Sequence, residues 1–298
     1  MKLYKDCPIS DVLFEAIKLS RSGYTFKNKK NCLSTTTIIS PVKHVILKTR
    51  HDDEILEPVS KVIRSFVGTS THKALELVKL DGLLSEERLE LEFEGFTISG
   101  AFDILRLTDD YNLEDLKVVS YYSYIYDKKG KLEHEIQLNI YRYLIWKCMG
   151  IKVRDISIIY LYYDWLPSIV SKNSKAPKYP EMSIKFRVWD DYEVEVYLRE
   201  RIKLFQEAQD LPDDDIPTCT PKERWSQPKK YRAIKKGNKK ATKVFYKYGD
   251  LQKFLHVWQK KNVEFDVEVI EPKDSRCIDY CFANSFCNYY KDKYMDKE

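Results

Sequence analysis

Two carboxylates and an amine stand at regular positions in one stretch of the sequence, GAFDILRLTDDYNLEDLK. Asp103 lies inside an apolar run, Asp115 follows twelve residues later, and Lys117 stands two residues beyond Asp115. A buried charge without a partner is costly, so a carboxylate in an apolar run needs an explanation. Successive side chains of a strand point to opposite faces, so Asp115 and Lys117 share one face.

This spacing predicts a hairpin that brings the two carboxylates together. If residues 100–108 and 112–120 pair as antiparallel strands, Asp103 and Asp115 lie nearly opposite each other across the turn. Directly opposed residues have Cβ atoms about 5 Å apart. Carboxylates this close repel unless a cation neutralises them, and their oxygens suit Mg²⁺ or Mn²⁺. Lys117 would then lie beside the metal, where its ammonium can orient a water and offset charge on a phosphate.

Two other interpretations of the same residues stay open. Asp103, Asp115 and Lys117 could form a solvent-exposed salt-bridge cluster on an edge strand, since D-x-K alone is common by chance. Glu114 competes with Asp115 for the metal role. It stands one position out of phase with Lys117, however, and therefore faces the other side of the sheet.

Polar residues on the two helices predicted to flank this hairpin extend the set. The segment GTSTHKALE places His72 and Glu76 four residues apart, on one face of a helix. The segment QLNIY does the same for Gln137 and Tyr141. Each pair alone is ordinary, because His, Gln and Tyr at helical spacing usually have no catalytic role. The order of all the groups along the chain carries more information.

That order is G-x-x-x-H-x-x-x-E, G-x-x-D, D-x-K and Q-x-x-x-Y, and it resembles the RecB-like branch of the PD-(D/E)XK nuclease superfamily. This branch includes CRISPR-adaptation nucleases and many phage exonucleases. The matching residues are Gly68, His72, Glu76, Gly100, Asp103, Asp115, Lys117, Gln137 and Tyr141. The segment STTTIISPVKHVILKTRHDDEI and the stretch from KERW to ATKVF resemble phage-encoded members, less specifically.

The resemblance implies an α/β fold of the restriction-endonuclease type, with a central mixed β-sheet flanked by helices. It implies a Mg²⁺- or Mn²⁺-dependent deoxyribonuclease that hydrolyses phosphodiester bonds, and within that class an exonuclease of phage DNA replication, recombination or processing. The alternative is a non-catalytic DNA-binding protein or a cluster-stabilised subunit of a recombination complex. The chain contains no G-x-x-x-x-G-K-[ST] motif, so we expect no ATP-driven motor in it.

The resemblance also assigns roles to individual residues. The side chains that it implies as metal ligands are His72, Asp103 and Asp115. Lys117 serves the attacking water, and Gln137 and Tyr141 organise the site or touch DNA. Glu76 is expected to support the metal site from the helix that carries His72.

Hydrophobic periodicity predicts the elements that position these residues in the order helix, three strands, helix, strand, strand, helix. The ranges are a helix at 57–80, strands at 89–94, 96–108 and 112–123, a helix at 133–149, strands at 155–165 and 183–189, and a helix at 191–208. This order is typical of helices packed on a mixed sheet. We expect residues 1–210 to form the nuclease core with an N-terminal helical segment. Residues 211–298 should form a basic, cysteine-containing extension packed on that core.

Positive charge is concentrated in residues 222–247, which hold eleven Lys or Arg against one acid. Such a stretch suits a polyanion, and interleaved aromatic residues could stack on bases. The candidate phosphate-binding residues are Lys235, Lys236, Lys239 and Lys240. The alternative is a solvated basic face, in which case DNA delivery falls to the Lys27–Lys30 loop.

Three of the seven cysteines, Cys277, Cys281 and Cys287, form a C-x3-C-x5-C pattern. A fourth thiolate would complete a site for Zn²⁺ or a [4Fe–4S] cluster. Members of the resembled branch carry an iron–sulfur cluster with one cysteine upstream of the nuclease motifs. This sequence departs from that pattern, because its clearest fourth candidate is Cys219, after the motifs, with Cys32 as the upstream alternative. The resemblance favours [4Fe–4S] over Zn²⁺, and unliganded thiols are the third possibility.

The composition, 43% hydrophobic and 33% charged, is that of a folded protein. No apolar run approaches the ~18 residues of a membrane-spanning helix. The segment MKLYKDCPIS lacks the apolar centre of a signal peptide. We expect a cytoplasmic protein, in a host cell if phage-encoded, whose partners are DNA and replication or recombination proteins rather than a membrane. Cleavage polarity, strand preference and oligomeric state do not follow from the sequence.

Overall fold

The computed structural model describes residues 2–21, 31–107 and 110–295. The chain divides into two compact units, Met1–Leu211 and Pro212–Glu298. The Lys27–Lys30 loop and the first two residues of the predicted turn at 108–112 lie outside the described residues.

The elements of the first unit follow the predicted order. Its strands are β1 (Lys2–Tyr4), β2 (Cys32–Ser34), β3 (Leu56–Pro58), β4 (Leu83–Phe93), β5 (Phe96–Arg106), β6 (Asn112–Val119), β7 (Asp155–Tyr162) and β8 (Glu181–Phe186). Its helices are α1 (Asp11–Arg21), α2 (Thr35–Ile38), α3 (Val42–Arg50), α4 (Val59–Leu75), α5 (Tyr122–Tyr126), α6 (Leu132–Met149), α7 (Pro167–Lys172) and α8 (Asp191–Ala208). The predicted series is present as α4, β4 to β6, α6, β7, β8 and α8. The short helices α5 and α7 interrupt it.

The central sheet has six strands in the order β2, β5, β6, β7, β8, with β4 paired to β5 outside this path. β6 and β7 are parallel, as are β2 and β5, whereas β4/β5, β5/β6 and β7/β8 are antiparallel. The predicted mixed sheet flanked by helices is therefore confirmed, and it is consistent with a restriction-endonuclease-like fold.

Helix α6 lies in the centre of the hydrophobic core. Every residue from Gln137 to Ile145 is buried, so this helix is enclosed on all sides rather than on a single stripe. It ends at Gly150, whose φ of 71° is the left-handed conformation that closes a helix C-terminus and favours glycine. Because α6 is fixed in the core, its residues Gln137 and Tyr141 are held firmly in place.

Strand β5 has an interruption along one edge. β4 pairs with it from end to end, so β2 and β6 must share the opposite edge. β2 pairs with residues 97–99 and β6 with residues 104–106, which leaves residues 100–103 between them. Gly100 begins this interval, and a Cβ there would lie 2.6 Å from the Tyr141 ring and 2.7 Å from Thr35 Oγ1. The glycine thus allows α2 and α6 to approach the sheet beside Asp103.

The second unit contains a three-stranded sheet and short helices. Its strands are β9 (Ser226–Gln227), β10 (Lys230–Lys235), β11 (Lys243–Phe245), β12 (Phe265–Ile270) and β13 (Lys273–Asp274). Its helices are α9 (Tyr248–Gln259), α10 (Ser275–Asp279) and α11 (Asn288–Tyr290), with a 3₁₀ turn at Asn284–Phe286 and a π turn at Lys291–Met295. β10 lies between β11 and β12, and Ala233, Phe245 and Leu251 form a small core.

Buried Asp274 organises the end of the second unit. Its side chain accepts hydrogen bonds from Tyr289 Oη at 2.7 Å, from Tyr294 Oη at 3.0 Å, from Lys293 Nζ at 2.8 Å and from Ser226 Oγ. A buried carboxylate is stable only when it is paired and hydrogen-bonded in this way. Asp274 therefore ties β9 and β13 to the C-terminal segment that carries the cysteines.

Within the parts of the chain that the structure describes, no helix has both the length and the apolar character needed to cross a membrane.

We predict that Gly100→Ala lowers the free energy of unfolding by roughly 1–3 kcal/mol, because the new methyl group overlaps atoms of a packed core. Gly68→Ala is the matched control. No atom of another element lies within 4 Å of a Cβ at Gly68. Since Gly68 is in α4, alanine should stabilise by up to ~1 kcal/mol. Urea unfolding measures both variants, and equal midpoints for the two would contradict the packing argument.

Candidate active site

The β5/β6 register brings two of the three predicted metal ligands, Asp103 and Asp115, together. The strands pair as Ile104 with Glu114 and Leu105 with Leu113, so the next position places Asp103 opposite Asp115. Regular backbone pairing ends there, and Asp103 Oδ2 instead accepts a hydrogen bond from the Leu116 N–H at 2.7 Å. Asp103 is 5% exposed and Asp115 is 1% exposed. The pair is thus buried, which rules out the solvent-exposed edge-strand alternative.

Glu86 adds a third carboxylate from the other side of β5. β4 pairs with β5 as Ser85 with Ile104 and Glu87 with Phe102, so Glu86 stands opposite Asp103. Glu86 has a φ of 55°, a left-handed conformation that is strained for a residue with a side chain and costs ~1–3 kcal/mol. Such strain persists only where the surroundings enforce it, and it clusters at functional sites. Three neighbouring strands therefore each contribute one carboxylate to a single row.

His72 on α4 closes one end of this row. Its Nδ1 lies 2.9 Å from Glu86 Oε1 and 3.5 Å from Asp103 Oδ1. Glu86 thus occupies the position beside His72 that the sequence pattern gave to Glu76. The structure does not bring Glu76 to this cluster, because its side chain is exposed just past the end of α4.

Lys117 and two residues of α6 surround Asp115. Lys117 Nζ forms an ion pair with Asp115 Oδ2, an oxygen that is buried. Asp115 Oδ1 accepts a hydrogen bond from Gln137 Nε2 at 3.3 Å, and the same amide donates to Tyr141 Oη at 2.9 Å. Gln137 and Tyr141 therefore fix the orientation of Asp115 from the core side.

The charges of these groups are not balanced. Burial, together with the nearby charge of Asp115, raises the pKa of Asp103 to about 7. The hydrogen bond to Glu86 raises the pKa of His72, although burial opposes it. Burial lowers the pKa of Lys117, but the charges of Asp115 and Asp103 outweigh it and leave that pKa raised. The two cations thus do not fully offset the three carboxylates, and the site favours an added positive charge, either a proton or a metal ion.

The donor atoms fit a hard divalent cation. One ligand atom each of His72, Glu86 and Asp103 lies within 4.8 Å of the others. Ligands of a single Mg²⁺ are separated by about 3–4 Å, since each lies 2.0–2.1 Å from the metal in octahedral geometry. The set is close to that requirement, and carboxylate oxygens with one imidazole are ligands that Mn²⁺ also accepts.

A second histidine lies near Lys117 that the sequence did not single out. His134 Nδ1 is 2.8 Å from Tyr160 Oη, and Tyr160 is the register partner of Lys117 in β7. Burial, and then the charges of Lys117 and Lys131, lower the pKa of His134 to about 3. The imidazole is therefore neutral and adds no positive charge beside Lys117.

The four predicted cluster cysteines are neighbours in the second unit. Burial, followed by the charges of Cys281, Asp274, Cys219 and Cys287, raises the pKa of the Cys277 thiol to about 12. This mutual influence places Cys219 with the other three, whereas Cys32 lies in β2 of the first unit. Among the described residues no three cysteine sulfurs all lie within 4.8 Å of one another. A tetrahedral zinc site needs sulfurs about 3.8 Å apart, since each lies about 2.3 Å from the metal.

The basic stretch forms β9 to β11, and its predicted DNA-binding lysines lie at the end of β10 and in the turn before β11. Lys235, Lys239 and Lys240 are exposed there. Lys236 Nζ is 2.6 Å from Glu264 Oε2, and Arg232 is paired similarly with Glu268 of β12. Both are surface ion pairs, which contribute little to stability and dissociate easily. The turn therefore keeps a positive character.

Comparisons with known proteins leave the family open. No family model matches the chain, and no curated protein matches it. The crystal structure of SSO0001 is 16% identical over 65% of this chain and 87% of its own length, with a TM-score of 0.46. A candidate exonuclease from Eubacterium rectale is 16% identical over 60% of this chain, with a TM-score of 0.26, and this chain spans 65% of its length. With TM-scores this low, neither likeness assigns a function.

We predict that Asp103→Asn changes the pH dependence of stability in the metal-free protein. The raised pKa of Asp103 means that its proton stabilises the folded state fully below about pH 4, and that this stabilisation is lost as pH rises through about 7. Asparagine keeps the acceptor for Leu116 but carries no charge. The free energy of unfolding of Asp103→Asn, relative to that of the parent, should therefore increase with pH, by a few kcal/mol at most.

Urea unfolding in EDTA at about pH 5 and about pH 8 measures this difference. Glu76→Gln is the control, because this exposed carboxylate lies outside the cluster. A pH-independent difference between Asp103→Asn and the parent would contradict the charge imbalance.

Proposed function

We propose that this protein is a metal-dependent nuclease that hydrolyses phosphodiester bonds of DNA. The observation that carries the proposal is the buried pair of Asp103 and Asp115 with Lys117 bonded to it. A fold gains nothing from burying opposed carboxylates, since two like charges at this separation destabilise the metal-free protein. Their burial beside an amine is explained by a bound divalent cation and a reaction that uses it.

Each residue of the site has its own role in the proposed reaction. A bound Mg²⁺ or Mn²⁺ would be held by Asp103, Asp115, His72 and Glu86, and it supplies Lewis-acid activation of a phosphate oxygen and of water. Lys117 holds a positive charge at Asp115, where it can orient a water and offset charge that grows on the phosphate. Gln137, fixed by Tyr141, keeps Asp115 in one orientation.

Within this class we propose an exonuclease of phage DNA replication, recombination or processing. This finer assignment rests on the motif resemblance alone. Incubating the protein with end-labelled linear DNA and with circular DNA, in Mg²⁺, Mn²⁺ or EDTA, tests it. Metal-dependent loss of linear DNA with circular DNA intact supports an exonuclease. Absence of cleavage under all conditions would favour the non-catalytic DNA-binding alternative.

Asp115→Ala and Lys117→Ala should each reduce cleavage by at least about 10³-fold, because the first removes a metal ligand and the second removes the positive charge beside the reacting phosphate. Glu86→Gln should weaken metal affinity, seen as a higher Mn²⁺ concentration for half-maximal rate. Glu76→Gln should behave as the parent. Near-normal turnover of either alanine variant, with a normal melting curve, would contradict the site assignment.

We further propose that the cysteines Cys219, Cys277, Cys281 and Cys287 hold a [4Fe–4S] cluster. A cubane cluster is larger than one ion and holds its thiolates further apart than zinc does. This agrees with the absence, among the described residues, of three cysteine sulfurs that all lie within 4.8 Å of one another. The high pKa of Cys277 means that a bound metal must displace its proton.

Protein purified without oxygen should be brown and contain about four irons per chain. Cys281→Ser should lose the colour and lower the melting temperature, whereas the control Cys148→Ser, on α6, should keep both. One zinc per colourless chain would keep the four ligands but reject the iron–sulfur cluster, and the absence of both metals would reject the site.

We also propose that the turn with Lys235, Lys236, Lys239 and Lys240 contacts DNA phosphates. Changing all four to Ser should weaken DNA binding more than it slows the cleavage of bound DNA. The slope of log affinity against log salt should fall by roughly 2–4, at about 0.9 for each lost contact on duplex and about 0.7 on a single strand. Lys253→Ser with Lys260→Ser is the control. Unchanged affinity and slope would identify the turn as a solvated face.

A further inference from the structure

Exposed tyrosines gather at one end of the central sheet, past the end of the strand that carries Lys117. Tyr122 begins α5 after β6, Tyr163 follows β7, and Tyr179 precedes β8. β6 and β7 are parallel and β8 is antiparallel to them. The end of β6, the end of β7 and the start of β8 therefore lie at the same end of the sheet. Tyr126 ends α5 beside them. We call Tyr122, Tyr126, Tyr163 and Tyr179 the tyrosine rim.

Backbone and side-chain hydrogen bonds hold the segments of the rim together. Tyr163 N donates to Val119 O at 3.2 Å, and Tyr162 N donates to Pro180 O at 2.8 Å. Asp164 accepts from Ser120 Oγ at 2.6 Å and from Tyr121 N at 2.8 Å, which joins the start of α5 to the end of β7. The rim is therefore a preformed surface.

The rings of the rim are not part of the core. Their exposed fractions are 51% for Tyr122, 85% for Tyr126, 49% for Tyr163 and 61% for Tyr179. The Tyr122 ring stacks on Tyr121, with centroids 4.3 Å apart, so Tyr121 supports one of its faces. A group of exposed aromatic rings on a rigid support is more typical of an interaction surface than of an ordinary protein exterior.

The surroundings of the rim are basic. The exposed cations of its segments are Lys128, Lys129, Lys131, Lys172, Lys175 and Lys178. The acids of the same segments are Asp127, Asp164 and Glu181. Asp164 is already occupied by its internal hydrogen bonds. The charge of the rim thus complements a polyanion.

The rim is close to the candidate active site. Lys117 and Val119 are on the same strand, and the segment that leads to Tyr122 of the rim begins one residue after Val119. At about 3.3 Å per residue, Ser120 lies about 10 Å beyond Lys117 along β6. A chain with a phosphate at the metal site could therefore reach the rim within about two nucleotides.

We propose that the tyrosine rim binds single-stranded DNA by stacking of its bases on the exposed rings, next to the scissile phosphate. Aromatic platforms with flanking lysines bind single strands without regard to sequence, because every base has a π-face. A duplex keeps its base faces stacked on one another, so it cannot use such a surface without local separation of its strands. The role of the rim as part of an enzyme rests on the proposed nuclease function, whereas binding by the rim does not.

Fluorescence anisotropy in EDTA tests the proposal without cleavage. The probes are a labelled oligothymidylate, an abasic oligonucleotide of equal length and charge, and a duplex. We expect the variant with all four rim tyrosines changed to Ser to bind oligothymidylate about tenfold or more weakly. Its affinity for the abasic chain and for the duplex should change by less than about twofold. The control, Tyr4→Ser with Tyr192→Ser, removes exposed tyrosines elsewhere and should bind all three probes as the parent does.

Unchanged binding of oligothymidylate by the rim variant would overturn the proposal, and so would equal losses on oligothymidylate and the abasic chain. A cleavage assay with Mn²⁺ separates this outcome from failure of the nuclease proposal. Base-dependent loss of binding in a protein that cleaves nothing would keep the rim and reject the nuclease. Cleavage by the parent together with unchanged binding by the rim variant would support the nuclease and reject the rim.

Discussion

Electrostatic repulsion among three neighbouring carboxylates, two of them buried, is the constraint on which the rest of the site depends. Glu86, Asp103 and Asp115 come from adjacent strands, so the sheet itself sets their separation. Lys117 and His72 relieve part of the repulsion, but burial together with the charge of Asp115 still raises the pKa of Asp103. A fold that keeps such a row must gain something from a cation that is added later, and that gain is what a metal-dependent enzyme uses.

The positions of Asp103, Asp115 and Lys117 were predictable because they depend on two local rules. Alternation along a strand put Asp115 and Lys117 on one face, and the centre of the turn set the register of the hairpin. Helical spacing put Gln137 and Tyr141 on one face of α6, and the motif resemblance assigned them to the site. The mixed sheet followed from the order of periodic segments, since each segment was long enough to show its period.

Glu86 was not predictable, because nothing in the sequence distinguishes it from the other glutamates of β4. Its role comes from a left-handed backbone conformation opposite Asp103, which tertiary packing imposes on one residue. Glu76 was expected from the motif resemblance and from its spacing to His72, but helical periodicity says nothing of where the neighbouring sheet ends. The tyrosine rim was likewise not predictable, because its members come from three segments that only the strand order brings to one end of the sheet.

The central claim is that Asp103 and Asp115 bind a divalent cation together. Anomalous diffraction from crystals soaked in Mn²⁺ tests this most directly, because it locates the ion without reference to activity. The account predicts a manganese peak in contact with both carboxylates in the parent and none there in Asp115→Ala. A parent crystal with no peak beside these residues, at a Mn²⁺ concentration that supports cleavage, would contradict it.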